Sequence, residues 1–277
     1  MTRKDSFFNS QYLIAALVVI LSAGLGALTM GALAGGWATA DAANPTLKSA
    51  ADKKEKNLNN LDVTRKFDTA PFSRIISCQA IEVELTQAPY PGFIEVTAPA
   101  YALRHLKVEN ERGTLTLHYA DFDNPINGKT IVRISAGNID ELSAVSASKI
   151  TVKDRFDIAV ELRVIATSAG EISFGEVTGR RLTIEATSAA EIFTLVADVD
   201  EVNVKATSAA DVRLRGINAG SVKAAATTAA NVVLSGRCNF SSVDATTGGE
   251  VTVRGLILEK QPLRPHSNAS VAGLRQP

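Results

Sequence analysis

The sequence predicts an all-β fold, a parallel β-solenoid with coils of about 20 residues. Strings of the type Ala-Thr-Ser-Ala occupy residues 166–169, 186–189, 206–209, 226–229 and 245–248, at three intervals of 20 residues and one of 19. One unit of this length cannot bury an apolar face alone, so a strict repeat indicates similar units stacked on one another. Apolar and polar residues alternate within each unit with a period of two, which is typical of strands.

The alternation also predicts which residues point inward. Leu182, Ile184 and Ala186 share one side of a predicted strand, and Thr183 and Glu185 share the other. Equivalent residues of stacked strands lie about 4.8 Å apart. We therefore expect an inward column of Ala166, Ala186, Ala206, Ala226 and Ala245, beside a second column of Ser168, Ser188, Ser208, Thr228 and Thr247. Buried hydroxyls need partners, so we expect those of the second column to bind one another or a carbonyl.

The connections and the first half of the chain are also predicted to lack helices. Short Gly-bearing segments such as 215–218 and 235–238 are interpreted as turns, which leave no room for a helix between the copies. From residue 63 onward, short alternating strands are separated by turn-forming residues. We expect this half to cap the N-terminal end of the solenoid and residues 251–258 to form a final strand.

A long apolar segment precedes the β-region. Residues 12–34 carry no charge and follow Arg3 and Lys4, and 23 helical residues span a bilayer core of about 30 Å. The positive flank places the N-terminus in the cytoplasm. The segment is either an uncleaved transmembrane anchor or the core of a signal peptide, cleaved near 38–40 or 40–42. In both cases the following domain leaves the cytoplasm.

These observations divide the chain into five predicted parts. They are a cytoplasmic N-terminus (1–11), the transmembrane anchor or signal-peptide core (12–34), a flexible linker (35–62), the β-solenoid domain (63–258) and a disordered tail (259–277). The linker and the tail are assigned because they are polar or rich in proline and contain few large apolar residues.

Composition excludes some classes of partner. The chain has 29 basic and 29 acidic residues, so neither a nucleic-acid footprint nor a polybasic membrane patch is indicated. Aromatic residues make up 5%, which is few for a carbohydrate-binding surface built on rings. Cys78 and Cys238 either form a disulfide in an oxidising compartment or remain free thiols, and their spacing matches no metal site.

Three parts of the chain, in this order, carry a family resemblance. They are the strand pair within 72–87, the elements at 115–117, 131–134 and 140–142, and the succession of Ser/Thr-Ala/Gly repeats. Over about residues 63–258 the chain resembles the bacterial "putative auto-transporter adhesin, head GIN domain" family. The resemblance implies export, a tether to an envelope membrane and a right-handed parallel β-helix, and it brings no catalytic residues. The family's Gly-containing corner reads Thr-Ser-Ala-Ala here, and Ala adopts positive φ less readily than Gly.

An outward acidic column is the candidate binding feature. Its residues are Glu171, Glu191 and Asp211, followed by Asn231 and Glu250. Stacked carboxylates could attract a cation such as Ca²⁺, which prefers oxygen ligands. Alternatively, Lys149 and Arg213 neutralise the column, and this interpretation is favoured because no Asp-rich calcium loop accompanies it. We predict no metal site and no cofactor.

Two other functions receive less support. An outward threonine column (Thr167, Thr187, Thr207, Thr227 and Thr246) could bind ice, but the column two residues away is charged and irregular, and Thr suits exposed strands. An enzyme would need cleft walls, which coils of uniform length do not provide. The three histidines are scattered and no Ser/His/Asp spacing emerges.

The sequence therefore predicts a non-enzymatic binding, adhesin-like or structural module exposed at the bacterial cell envelope. The alternative is a carbohydrate-active enzyme on the same scaffold. Expected partners are a membrane, through the N-terminal segment, and an envelope protein or a glycan. An exposed strand at the C-terminal end would permit edge-to-edge dimers.

Overall fold

The computed structural model describes residues 61–89, 92–120, 128–254, 257–258 and 264–266. The predicted segments 1–11 and 12–34 and residues 35–60 of the predicted linker lie outside these residues. Within the described part of the chain, no helix has the length and hydropathy needed to cross a membrane.

Sixteen strands and one short helix follow one another along the described chain. The first eight strands are β1 (Asp62–Phe67), β2 (Arg74–Cys78), β3 (Glu82–Gln87), β4 (Phe93–Pro99), β5 (Leu106–Glu111), β6 (Thr114–Tyr119), β7 (Ile131–Ala136) and β8 (Glu141–Val145), and helix α1 (Ala100–His105) separates β4 from β5. Five long strands follow, namely β9 (Lys149–Thr167), β10 (Glu171–Thr187), β11 (Glu191–Thr207), β12 (Asp211–Thr227) and β13 (Asn231–Thr246). The last three are β14 (Glu250–Val253), β15 (Ile257–Leu258) and β16 (Arg264–His266).

The long strands are the coils of a parallel β-solenoid. Each pairs in parallel with the next one along the chain, from β9 to β13. In β10 the pairing runs over residues 171–174, 176–179 and 181–187, so one coil has three sides, which we call the first, second and third side. The predicted all-β parallel solenoid is confirmed, with about six turns.

Apolar columns inside the coil hold the turns together. On the first side Ile172 stacks on Ile192, and Ile192 on Val212, and each of the three is at most 1% exposed. Full burial of such a side chain stabilises the fold by about 1.5–3 kcal/mol. The predicted inward alanines are also buried, namely Ala166, Ala186, Ala206, Ala226 and Ala245.

The serine column beside them is not buried, which corrects the sequence-based prediction. In each repeat the Ser/Thr and the next residue adopt positive φ, for example 56° at Ser188 and 59° at Ala189. Two left-handed residues turn the chain and interrupt the period of two, so Ser168, Ser188, Ser208, Thr228 and Thr247 are exposed at a corner. The corner keeps its inter-coil hydrogen bonds, since the Ala189 N–H donates to the Ser208 carbonyl at 3.0 Å.

The segments interpreted as Gly-bearing turns are also different in the structure. Residues 215–218 and 235–238 lie inside the continuous strands β12 and β13 and contribute to the second side. Gly236 has a φ of 139°, and a Cβ there would lie 2.1 Å from the Ile217 carbonyl oxygen. Glycine therefore allows the strand to bend at close approach without ending it.

The N-terminal half covers one end of the solenoid, as predicted. β3 and β8 pair in parallel with the first and third sides of β9, and β7 and β2 pair with β3 and β8 in turn. Beyond them, β4 pairs antiparallel with β7, and β1 pairs antiparallel with β4. β5 likewise pairs antiparallel with β6. Because these strands run antiparallel to their neighbours, the parallel stack ends at the N-terminal end of the solenoid.

Helix α1 was not predicted. It follows Pro99, which has a φ of −54° and occupies the N-cap position, and its alanines favour the helical conformation. Ala102 and Leu103 are buried in the core. This short segment lacks the period-two pattern, and it packs against the end of the solenoid instead of adding a strand.

A final coil is built at the other end. β14, β15 and β16 pair with the first, second and third sides of β13. β16 lies within the segment 259–277 that the sequence assigns to a disordered tail, so strand pairing continues past residue 258.

Both cysteines are free thiols in the structure. Burial raises the pKa of Cys78 and raises that of Cys238 to about 11, so both remain protonated at neutral pH.

The left-handed corner leads to a first prediction. Ala189→Val should lower the free energy of unfolding by about 1–2 kcal/mol, because a β-branched residue is strained at positive φ. Lys205→Val is the control, because Lys205 is exposed on extended backbone of the following strand, β11. Urea unfolding of both variants tests this, and equal losses would contradict the corner geometry.

A second prediction concerns a polar atom in the core. Thr194 is fully buried between Phe174 and Leu214 in register, and its hydroxyl has no hydrogen-bond partner among the described residues. Thr194→Val should raise the free energy of unfolding by about 1 kcal/mol, because it removes the cost of an unpaired hydroxyl. Thr183→Val should not be stabilising, since the Thr183 hydroxyl donates to Glu161 at 2.8 Å.

Candidate binding groove

A shallow groove of about 710 Å³ runs along the second side of the coils, from β9 to β13. We call it the axial groove. The polar residues that line it are Arg155, Asp157, Thr178, Asp198, Asp200, Asn218, Arg237 and Asn239, and small or apolar residues (Ile158, Gly179, Val199, Ala219, Gly220 and Cys238) complete the lining. The groove is open and polar, unlike the interior of the solenoid.

Strand register places five of these residues in one line. Thr178 pairs with Asp157 on one side and Asp198 on the other, and the line continues through Asn218 to Arg237. Each step is one inter-strand spacing of about 4.8 Å, so the four steps extend about 19 Å along the solenoid axis. We call these residues the polar column. It is continuous because every coil presents the same position outward.

Hydrogen bonds within the protein fix the N-terminal end of the polar column. Asp157 Oδ1 accepts from the Thr178 hydroxyl and from Arg155 Nε, the latter at 2.8 Å. Gln87 takes the place of a further strand, since its Oε1 accepts from the Asp157 N–H at 2.7 Å and its Nε2 donates to the Asp157 carbonyl at 2.9 Å. The hydrogen bond from Thr178, and then the one from Arg155, lowers the pKa of Asp157.

The middle of the column is only partly used by the protein. Asn218 Nδ2 donates to Asp198 Oδ1 at 2.8 Å, which holds the two side chains together and leaves Asp198 Oδ2 and Asn218 Oδ1 available. Asp200 and Arg237 are exposed, and neither side chain has an ion pair within the described residues. The groove therefore offers both acceptors and donors to a ligand.

Gly220 keeps the groove open beside Asp200. A Cβ at this position would lie 2.9 Å from the Asp200 carbonyl oxygen, which is closer than such contacts normally are. Glycine at this position therefore allows the backbones of β11 and β12 to approach closely beside the groove.

Every carboxyl group of the described residues with a shifted pKa has a lowered pKa. The pKa of Glu84 is lowered by the hydrogen bond from Lys153, that of Asp157 by Thr178 and that of Glu201 by Asn203. These groups are ionised hydrogen-bond acceptors at neutral pH. A general acid of a glycosidase instead needs a raised pKa.

The acidic column predicted from the sequence is in register but is partly neutralised. Glu171 pairs with Glu191 and Glu191 with Asp211. Lys149 Nζ lies 2.5 Å from Glu171 Oε1, and Arg213 forms an ion pair with Asp211. Only Glu191 of the three lacks a cationic partner among the described residues, and no group of three potential metal-binding side chains occurs in that part of the chain.

The axial groove was missed by sequence reasoning. Asp198 and Asn218 are 20 residues apart, so the period was visible. Residues 215–218 contain a glycine and resemble a turn, however, so the local pattern does not align Asn218 with Asp198. The predicted threonine column lies elsewhere, on the third side, where the hydroxyls of Thr187 and Thr207 are 3.3 Å apart.

Comparisons with known proteins agree with this architecture. Residues 71–271 match the family model described as "Putative auto-transporter adhesin, head GIN domain". No curated protein matches the chain.

Several crystal structures share the fold. A protein described as a "putative adhesin" from Parabacteroides distasonis ATCC 8503 is 14% identical, with a TM-score of 0.67 over 79% of this chain and 96% of that chain. A "putative adhesin" from Bacteroides fragilis NCTC 9343 is also 14% identical, with a TM-score of 0.65 over 76% and 96%. A "Putative lipid binding protein" from Parabacteroides distasonis ATCC 8503 is 13% identical, with a TM-score of 0.52 over 79% and 97%.

At these identities the likeness to crystal structures establishes the fold alone. The family model, in contrast, covers more than half of the sequence and confirms the resemblance seen there. This chain belongs to the family described as "Putative auto-transporter adhesin, head GIN domain".

Proposed function

We propose that this protein is an exported, non-enzymatic, adhesin-like module of the bacterial cell envelope that binds an extended ligand along the axial groove. The observation that carries the proposal is the polar column, which repeats hydrogen-bonding groups at one spacing over five coils. A ligand with its own repeat, lying along the axis, could contact several coils at once. The family description and the names of the similar structures support a binding role.

Binding is favoured over catalysis by the shape and the electrostatics of the groove. The long strands have 16 to 19 residues, so no insertion walls the groove and excludes water. Of its carboxylates, Asp157 has a lowered pKa and is held by Thr178 and Arg155. A carbohydrate-active enzyme would need one protonated and one ionised carboxyl in defined separation.

A polar ligand is favoured over a lipid, although one similar structure is named a lipid-binding protein. The groove is lined outward by charged and amide side chains. The large apolar side chains that are exposed in the described residues are dispersed over several elements, namely Leu61, Val63, Phe93, Val160, Leu195 and Phe240. Such scattered residues do not form the continuous apolar patch that a lipid chain requires.

Export and tethering would follow from the N-terminal part of the chain. Residues 12–34 would act as a membrane anchor or as the core of a signal peptide, with the positive residues before them retained in the cytoplasm. Residues 35–62 would then connect the membrane to the solenoid.

Cellular location is tested on the full chain in its native host. We expect an external protease to digest the solenoid in cells whose outer barrier has been opened, while a cytoplasmic marker stays intact. Intact mass of the recovered protein then distinguishes an anchor, which retains residues 12–34, from a cleaved signal peptide. Protection of both proteins from the protease would contradict export.

The role of the groove is tested with a blocking substitution. Asn218→Trp should lower retention of the full-length protein on isolated bacterial envelopes by at least about 10-fold, because the ring fills the middle of the groove. Asn203→Trp is the matched control on the third side of the preceding coil. Equal retention of both variants and the wild type would contradict binding in the groove.

The acidic column is expected to remain free of calcium. If the column bound Ca²⁺ with a Kd of about 10 µM, addition of about 1 mM Ca²⁺, roughly 100-fold above that Kd, would stabilise the folded protein by about 2.7 kcal/mol. We expect no such rise in Tm, since Lys149 and Arg213 already neutralise Glu171 and Asp211. A rise in Tm that is abolished in Glu191→Gln would show that the column binds the cation.

A further inference from the structure

The axial groove carries hydrogen-bonding groups that the protein itself does not use. Asp200 and Arg237 are exposed and have no ion pair among the described residues, and Asp198 uses one carboxylate oxygen for Asn218. Asp198 and Asp200 lie on β11 and Arg237 lies on β13, and all three line the axial groove. A complementary ligand would bring both donors and acceptors, arranged along its length.

The groove carries charges of both signs, which disfavours a strongly charged ligand of either sign. Arg155 and Asp157 lie together on β9, where they form an ion pair, Asp198 and Asp200 lie on β11, and Arg237 lies on β13. The carboxylates of Asp198 and Asp200 would repel a polyanion such as a nucleic acid or a sulfated polymer. The guanidinium group of Arg237, which has no ion pair among the described residues, would oppose a polycation at the C-terminal end. A neutral, highly polar ligand is left as the chemical class that fits.

Sugar hydroxyls meet this requirement, because each hydroxyl both donates and accepts hydrogen bonds. The carboxylates of Asp198 and Asp200 would accept from them, and the Arg237 guanidinium would donate to them. Hydrogen bonds to charged groups are among the stronger ones in proteins. An apolar peptide or a lipid would leave the same groups without partners, which is costly.

The polar column is also ordered before any ligand binds. The Asp198–Asn218 and Asp157–Thr178 hydrogen bonds connect adjacent coils, and the strands beneath them are continuous. Side chains held in this way lose little conformational entropy on binding. The line of groups runs along the solenoid axis for about 19 Å, which is the length of four inter-strand steps.

We propose that the axial groove binds a neutral glycan chain lying parallel to the solenoid axis. The inference rests on the proposed function, because it names the ligand of the same groove. Asp198, Asp200 and Asn218 form the centre of the site, and Arg237 binds at its C-terminal end.

The test measures binding of the full-length protein in detergent to a defined panel by titration calorimetry. The neutral probes are dextran, mannan, xylan and a β-1,4-linked glucan oligosaccharide, and dextran sulfate is the charged comparator with the same backbone as dextran. Asp200→Ala should weaken binding of the neutral probe by about 10-fold, the loss expected for one hydrogen bond to a charged group. Glu191→Ala is the control, since Glu191 is also an exposed carboxylate, on the first side of the same strand. Its affinity should equal that of the wild type.

Each other outcome overturns the inference. Binding to none of the neutral probes, or tighter binding to dextran sulfate than to dextran, excludes a neutral glycan. Equal weakening in Asp200→Ala and Glu191→Ala places the glycan outside the groove. These failures are separate from failure of the proposed function. If Asn218→Trp still reduces retention on envelopes, the groove binds a ligand of another class. If it does not, the groove is not a binding site at all.

Discussion

Successive coils of this protein stack in parallel and in register, and most of its other features follow from that arrangement. Because equivalent residues of successive coils pair at about 4.8 Å, the nearest neighbour of almost every side chain is the same position one repeat away. A residue type that recurs at one position of the repeat therefore forms a column along the solenoid axis. The inward columns of Ile, Val and Ala are a stable consequence, since identical shapes pack on one another without gaps.

Outward columns are harder to build, because repetition would stack like charges. The protein resolves this by alternating sign or by hydrogen bonding between coils. Lys149 precedes Glu171 on the first side, and on the third side Arg181 Nε lies 2.9 Å from Glu201. These pairs are exposed, so each contributes little to stability by itself. Their main effect is to remove the repulsion that an unbroken acidic column would create.

The same rule explains why the second side is suited to recognition. Its column varies in chemistry from coil to coil while its geometry is constant, since Asp157, Thr178, Asp198, Asn218 and Arg237 occupy one register position. Some of these side chains bind each other and so hold the line straight. The remainder face an open groove. A rigid backbone with a varied outer column supports the proposed binding of one extended ligand, and the described coils carry no long loop over the groove.

The solenoid, its period and its inward alanine column can be predicted from the sequence, because a strict 20-residue repeat with period-two alternation is typical of stacked strands. It also indicated how Lys149 and Arg213 neutralise the acidic column. The conformation of the corner and the position of the groove depend on contacts between coils, which the local sequence does not contain. Ser188 and Ala189 adopt positive φ because the coil must close there, and alternation alone places Ser188 inside. Residues 215–218 contain a glycine and resemble a turn, yet pairing with the adjacent coils keeps them extended. That pairing brings Asp198 and Asn218 within hydrogen-bond distance, and it depends on contacts between residues 20 apart in sequence, which local propensity does not contain.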